Sequence, residues 1–357
     1  MTDTVQPTNM STPAAAAPAS APASAANMPS RVWTGLDFQR DGKQADSLYV
    51  PHSTDFSAYG TVAIPIVCIR NGEGPTALLT AGNHGDEYEG QIALLRLARA
   101  LRPEDLRGRV ILIPALNFPA VRAGRRASPL DEGNLNRLFP GDPNGGPTAM
   151  LAHYLCTVLF GLADVVIDLH SGGRSLDYAH CALAQYGRDD AQRAAMDSLL
   201  RVFGAPHSIL TSGQGGGGAT TLYAAAAQRG LPALTTELGK GATLDPAGLH
   251  IAEQGVRRVL RHYGIAPGLD AEPAPATRLL RSLGPRAGIY APCDGLFEPH
   301  AQAGQEVRAG QLAGYLHSYE DPLRDPLPLI FSADGIVSCR RFPTLTRRGD
   351  CLYHLAA

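Results

Sequence analysis

The stretch Ala77–Leu101, reading ALLTAGNHGDEYEGQIALLRLARAL, constrains this chain more than any other. An apolar run from Ala77 to Ala81 has the composition of a buried strand. It passes through Gly82-Asn83-His84-Gly85 into a helical pattern with Ile92, Leu95 and Ala98 at three-residue spacing. Arg109–Ala115 (RVILIPA) follows as a second buried strand, and strand, helix, strand within about 40 residues is a right-handed crossover unit. His84 and Glu87 stand at the strand-to-helix corner. Where such a corner has begun to turn helically, residues three apart share a face, so an imidazole nitrogen and a carboxylate oxygen can reach one point. A His-x-x-Glu pair is a common accident, and a site needs further groups from elsewhere.

The chain around this unit alternates strand and helix patterns. Thr61–Ile69 (TVAIPIVCI) reads as a strand that Pro65 confines to an edge or a bulge. Asn71-Gly72 reads as a hairpin turn into the strand at Thr76–Ala81. Residues 118–144 form a polar loop too long to be idle inside a compact domain. Helices are expected over 148–162, near 189–203 and near 221–228, with strands over 164–169, 208–210 and 231–237. Asp245 caps a last helix that has Pro246 at its first position and Gly264 at its end.

These patterns predict an α/β protein with a smaller all-β domain after it. Residues 1–30, rich in Ala, Pro, Ser and Thr, read as a disordered tail without the basic start and apolar core of a secretory signal. Residues 31–266 form the α/β domain, 267–276 a linker, and 277–357 a β-rich domain of short strands with Gly and Pro turns. A chain of 357 residues suffices for both.

Charge narrows the choice of partners. The net charge of −2 argues against nucleic acid or an anionic membrane as main partner, and no apolar run approaches the roughly 18 residues of a membrane span. Six scattered cysteines without a C-x-x-C pair fit buried free thiols in a reducing cytoplasm. Lys43 and Lys240 are the only lysines.

Ligands of open α/β sheets gather at the carboxyl ends of strands. Three such ends carry suitable groups: His84 with Glu87, then His170, then Glu237. Two histidines and one glutamate leave a position for water, the arrangement of a catalytic zinc, although Co²⁺ or Mn²⁺ also suits these donors. Asp168, two residues before His170 on one strand face, is placed to orient a ligand. Glu237 is the expected base. The ordinary alternatives are a loop histidine, a carboxylate at a helix N-terminus and a strand-end ion pair; joint placement favours a site. The 118–144 loop carries Arg122, Arg125, Arg126, Asn136 and Arg137, enough for a carboxylate clamp, with a solvated basic loop as the plainer reading of Arg122 and Arg125.

GNHGDEYEG, NLNRLFPG (Asn134–Gly141), IDLHSGG (Ile167–Gly173) and TTELG (Thr235–Gly239) together resemble the succinylglutamate desuccinylase/aspartoacylase family of the zinc carboxypeptidase-like clan, over roughly residues 60–355. The wording of GNHGDEYEG, SPLDEGNLNR and TTELGKG is most similar to members that deacetylate N-acetyl-2,4-diaminobutyrate in ectoine degradation. The resemblance implies a zinc carboxypeptidase-like mixed sheet flanked by helices and a small-molecule N-acyl amino acid as substrate. It implies one Zn²⁺ per chain on His84, Glu87 and His170, and Glu237 as general base. Asn136 and Arg137 would hold the substrate carboxylate. An arginine upstream would stabilise the oxyanion, with Arg126 preferred over its neighbour Arg125. Lys240 departs from the more usual all-glycine run and places a charge near the base.

Other classes remain to be weighed. Residues 291–295 (APCDG) and 304–310 (GQEVRAG) look like a biotinyl/lipoyl-type hammerhead, but no lysine lies beyond residue 240 to carry a cofactor, so a cap over the site is expected instead of a carrier. No G-x-S-x-G elbow occurs, and Gly213–Gly218 lacks the G-K-[ST] ending of a phosphate loop, reading as a mobile loop near the pocket. An aspartoacylase- or desuccinylase-type substrate, a zinc carboxypeptidase and a homo-oligomer all stay open.

Overall fold

The computed structural model describes residues 28–211 and 218–357. Most of the expected tail and all but Gly218 of the glycine run lie outside the described residues. The first part of the chain forms β1 (Gly42–Pro51), β2 (Thr61–Asn71), β3 (Thr76–Ala81), β4 (Gly108–Ile113), β5 (Val165–Leu169), β6 (Leu176–Tyr178), β7 (Cys181–Gln185), β8 (His207–Thr211), β9 (Ala233–Glu237) and β10 (Arg278–Arg281). Helices α1 (Glu89–Ala100), α2 (Phe118–Ala123), α3 (Pro147–Tyr154), α4 (Asp190–Phe203), α5 (Leu222–Gln228) and α6 (Pro246–His262) lie between them. All these strands except β6 join one sheet in the order β1-β2-β4-β3-β5-β9-β7-β8-β10.

Why the central strands read as unbroken apolar runs is visible in the packing. Along β3, Leu79 faces a core shared with Leu94, Leu97, Phe203 and Val256, while Leu78 faces the opposite core with Met150, Leu155 and Leu222. In β4, Val110 and Leu112 take the first side, Ile111 and Ile113 the second. Helices α1, α4 and α6 thus cover one face and α3 and α5 the other, as a sheet with parallel strands requires. Strands β4, β3, β5 and β9 are mutually parallel, so their carboxyl ends share one edge. The predicted cap of α6 forms: the Asp245 side chain accepts from Ala247 N (2.9 Å) and Gly248 N (3.4 Å), an arrangement worth about 1 kcal/mol.

The structure departs from the sequence pattern in several places. Asn71-Gly72 does not close a hairpin, because β4 is inserted between β2 and β3. Turn chemistry states that a chain reverses, not which strand fills the gap, and β3, with six buried residues, takes a position flanked by strands on both sides. Pro65 lies in the half of β2 that pairs with β1 alone, since β4 pairs only with Val67–Asn71. The 118–144 segment opens with α2 and contains a tight turn at Leu135–Arg137. The short β7 carries no pattern that separates it from a loop.

The C-terminal region builds β11 (Ile289–Tyr290), β12 (Gly295–Pro299), β13 (Glu306–Val307), β14 (Leu312–His317), β15 (Leu327–Ile330), β16 (Gly335–Arg341), β17 (Leu345–Thr346) and β18 (Cys351–Ala356). They form two sheets, β11-β18-β16-β13 and β15-β14-β12-β17, around a core that includes Phe297, Phe331 and Tyr353. The two parts of the chain interleave. β10, which follows the 267–276 segment, runs parallel to β8 at the edge of the large sheet, and β6 pairs with β16. No helix among the described residues is long and apolar enough to cross a membrane.

Candidate metal centre and catalytic cavity

The corner after β3 is held by its backbone. Gly85 N donates to Arg125 O at 2.9 Å, and a Cβ on Gly85 would sit 2.0 Å from Ala120 O. Only glycine permits that approach, which fixes the corner against α2 and the loop after it. Glu87 then reaches both histidines. Its Oε1 is 2.7 Å from His84 Nδ1 and its Oε2 2.8 Å from His170 Nδ1. Within this trio each residue offers a donor atom within 4.8 Å of the others, and all three are buried.

The outward nitrogens are restrained as well. His170 Nε2 lies 2.8 Å from Asp168 Oδ2, and His84 Nε2 lies 3.2 Å from Asn134 Oδ1. Asp168 is itself held by Thr80 Oγ1 (2.7 Å) and Asn83 Nδ2 (3.0 Å). Burial disfavours the Glu87 carboxylate, but the two imidazoles outweigh it and hold the group well below the ordinary range. Burial likewise disfavours the His170 cation, against which Asp168 and Glu87 raise its pKa well above the ordinary value; for His84 burial prevails and lowers it. Two ring nitrogens and a carboxylate, with no thiolate and with both rings fixed from behind, are donors suited to a borderline divalent cation.

Glu237 ends β9 and lines a cavity of about 430 Å³ together with His84, Arg126, Asn136 and Arg137. Its Oε2 is buried and has no hydrogen-bond partner among the described residues. Burial, reinforced by the charge of Glu87, pushes its pKa well above the usual glutamate value. The arginines separate cleanly. Arg126 Nη1 is 3.3 Å from His84 Nδ1 and 3.9 Å from Glu87 Oε1, whereas Arg125 turns to Glu132 at 2.5 Å on the surface. Arg137 donates to Asn136 O (2.7 Å), faces the cavity and forms no ion pair among the described residues. Asn136 is fixed by Leu222 N, which donates to its Oδ1 at 2.9 Å. Lys240 points elsewhere: it pairs with Asp177 at 3.5 Å beside a separate cavity.

Several residues at the site were not singled out in the sequence. Tyr178, Ser338, Cys339, Cys351 and His354 form the opposite wall of the cavity, most of them from β16 and β18. Glu89, two residues after Glu87 and fully buried, accepts hydrogen bonds from Ser171 Oγ and from Asp245 N (2.7 Å), while Ser171 N donates to Glu87 Oε2 at 3.1 Å. It joins the three segments that carry the cluster and the base. The second glutamate of EYEG was the only available signal, and nothing in its spacing distinguishes it from an exposed first-turn acid.

A cation-suited donor cluster beside an unpartnered carboxyl, at the carboxyl edge of a helix-flanked sheet, is an arrangement that metal-assisted hydrolases use. Residues 73–263 match the family described as the succinylglutamate desuccinylase/aspartoacylase catalytic domain. The chain is 42% identical over 334 residues to N-alpha-acetyl-L-2,4-diaminobutyric acid deacetylase of Halomonas elongata, covering 92% of this chain and 95% of that protein. Among solved structures, the product-bound ectoine utilization protein EutE (DoeB) of Ruegeria pomeroyi superposes with a TM-score of 0.88 at 38% identity, covering 93% of this chain and 100% of that one. A succinylglutamate desuccinylase/aspartoacylase of Rhodobacter sphaeroides gives 0.85 at 41% identity, covering 92% and 98%. The chain belongs to the succinylglutamate desuccinylase/aspartoacylase family and is a hydrolytic deacylase of N-acyl amino acids.

Proposed function

We propose that this deacylase removes the acetyl group from the α-nitrogen of N-acetyl-2,4-diaminobutyrate, using one Zn²⁺ held by His84, Glu87 and His170, in cytoplasmic ectoine breakdown. Near full-length similarity to a deacetylase of that substrate supports the substrate choice. The observation that carries the chemistry is Glu237 Oε2, buried and unpartnered in the same cavity as the donor cluster.

When bound, a divalent zinc supplies Lewis acidity towards water and an acyl oxygen. The chain's own groups do the rest. Glu237 takes a proton from the attacking water as its oxygen bonds to the acyl carbon, and returns that proton to the amine as the C–N bond breaks. Arg126 donates to the acyl oxygen as negative charge develops on it. Arg137, without a carboxylate partner among the described residues, receives the substrate carboxylate with Asn136 beside it. Asp168 and Asn134 keep the two imidazoles from rotating. The cavity volume of about 430 Å³ is in the range of small-ligand sites and is closed on one side by the C-terminal strands.

The test is a substrate panel with and without chelator: Nα- and Nγ-acetyl-2,4-diaminobutyrate, N-acetylaspartate, N-succinylglutamate and a C-terminal dipeptide. The Nα-acetyl compound is expected to be turned over fastest, with loss on chelation and recovery on adding Zn²⁺. Faster cleavage of either dicarboxylic substrate or of the dipeptide would reassign the specificity; activity that survives complete metal removal would sink the zinc assignment.

A further inference from the structure

Strand β6 is three residues long and stands between two cavities. Leu176 and Tyr178 line the catalytic cavity. Asp177, between them, points to the other face by the two-residue period of a strand. That face fronts a second cavity of about 340 Å³, which Lys240, His180, His207 and Gln302 also line. Packing therefore holds β6 firmly from one side only.

Charge supplies the other hold. Asp177 is 5% exposed, and its carboxylate lies between two cations: Oδ2 is 2.9 Å from Arg340 Nη2 and Oδ1 3.5 Å from Lys240 Nζ. The backbone repeats this meeting of three segments. Asp177 is the Cα partner of Arg340 in the β6–β16 ladder and forms an isolated bridge to Lys240. Lys240 comes three residues after Glu237. Arg340 directly follows Cys339, the cavity-lining partner of Tyr178 in the same ladder. One carboxylate thus joins the segment that carries the proposed base to the strand that forms the opposite wall. A carboxylate so deeply buried relies on its cations. Lys240, however, is half-exposed, so its ion pair adds little to overall stability. What that pair fixes is a position.

We propose that Asp177 is a positioning residue for the deacylation: held between Lys240 and Arg340, it sets the spacing between the Glu237 strand and the β16 wall, and so limits the length of N-acyl amino acid that fits between them. This role rests on the placement of substrate in the catalytic cavity with Glu237 as base. Without the tie, β6 shifts into the second cavity and Leu176 and Tyr178 withdraw from the first. Longer substrates gain room, and the natural one is held less closely.

Steady-state kinetics of the full-length, zinc-loaded enzyme test this. The substrates are whichever N-acyl amino acid the wild type turns over fastest and its two homologues one methylene longer, in the acyl group or in the amino-acid chain. A different preferred substrate would revise the proposed specificity and leave this comparison in force. Lys240→Met is expected to raise KM about fivefold with kcat within about twofold, and to cut the preference over a longer homologue about tenfold. Its circular-dichroism melt and metal content should match the wild type. Lys240→Arg, which keeps the pair, should behave as wild type. Asp177→Asn should shift KM and preference at least as far as Lys240→Met, and the two changes together should be no worse than Asp177→Asn alone. A wild type indifferent to the added methylene would overturn the proposal, as would variants whose kcat falls while the preference stays intact. Equal impairment in Lys240→Arg and Lys240→Met would do the same. Should Asp177→Asn fail to fold, the two Lys240 variants decide the matter alone.

Discussion

Two regions meet at the catalytic cavity, and they contribute different kinds of side chain. The carboxyl edge of the parallel strands and the loop after α2 bring charge: His84, Glu87, His170, Glu237, Arg126 and Arg137. The C-terminal strands bring small or uncharged groups, among them Ser338, Cys339, Cys351, Ala356 and the Tyr290 phenol, with His354, whose pKa burial lowers, as their imidazole. In the proposed mechanism the difference separates bond-breaking from selection. The groups proposed to hold a cation and move a proton stand on strand ends whose positions are fixed by packing on both faces of the sheet, while the opposite wall shapes the volume a substrate can occupy.

The largest expected effect tests the charged side. Glu87→Ala removes the carboxylate shared by both rings; metal content by elemental analysis should fall to near zero and turnover by about ten thousandfold. Loss of turnover with full metal content would break the assignment of Glu87 as ligand. Glu237→Gln should lower kcat by about a thousandfold while metal content stays near one per chain. A base acts only when ionised, and burial and Glu87 raise the pKa of Glu237, so kcat/KM should decline as pH falls through a value above the ordinary glutamate range. That acid limb should vanish from the residual activity of Glu237→Gln; its persistence would locate the limb on another group.

The neighbouring arginines offer a sharper contrast at smaller amplitude. Arg126→Ala should cost about a hundredfold in kcat, and Arg125→Ala, whose guanidinium pairs with Glu132 at the surface, less than about twofold. Comparable losses from both would erase the distinction seen in the geometry. The smallest effect probes the opposite wall. Cys339→Leu adds volume to the cavity lining and should raise KM about tenfold with kcat within about twofold and metal retained. A fall in kcat alone would assign this wall to the chemistry and remove the division between the two regions.

The same division explains what was readable without coordinates. TALLTA and VVIDL announce strands buried on both faces because every residue in them is buried, and chemistry placed directly after such runs, as at His84 and His170, stands out. Asp245-Pro246 likewise states its cap through local hydrogen bonding alone. Arg125 and Arg126 are indistinguishable in sequence, since one residue of loop rotation decides which faces the cavity and which meets Glu132. Cys339 and His354 were out of reach for a different reason. They are Cα partners on adjacent strands more than 160 residues beyond His170, and no local pattern reports which distant strand will close a pocket. The exchange of β6 and β10 between the two parts of the chain was invisible for the same cause.

That interleaving has a consequence for the chain as it is being made. The proposed cation donors and base have all been synthesised by residue 237, whereas the last cavity-lining residues on β18 come more than a hundred residues later. On the proposed roles, the donor cluster and the base are in the chain before the wall that bounds the substrate space, and the pocket is complete only when translation reaches the final strand.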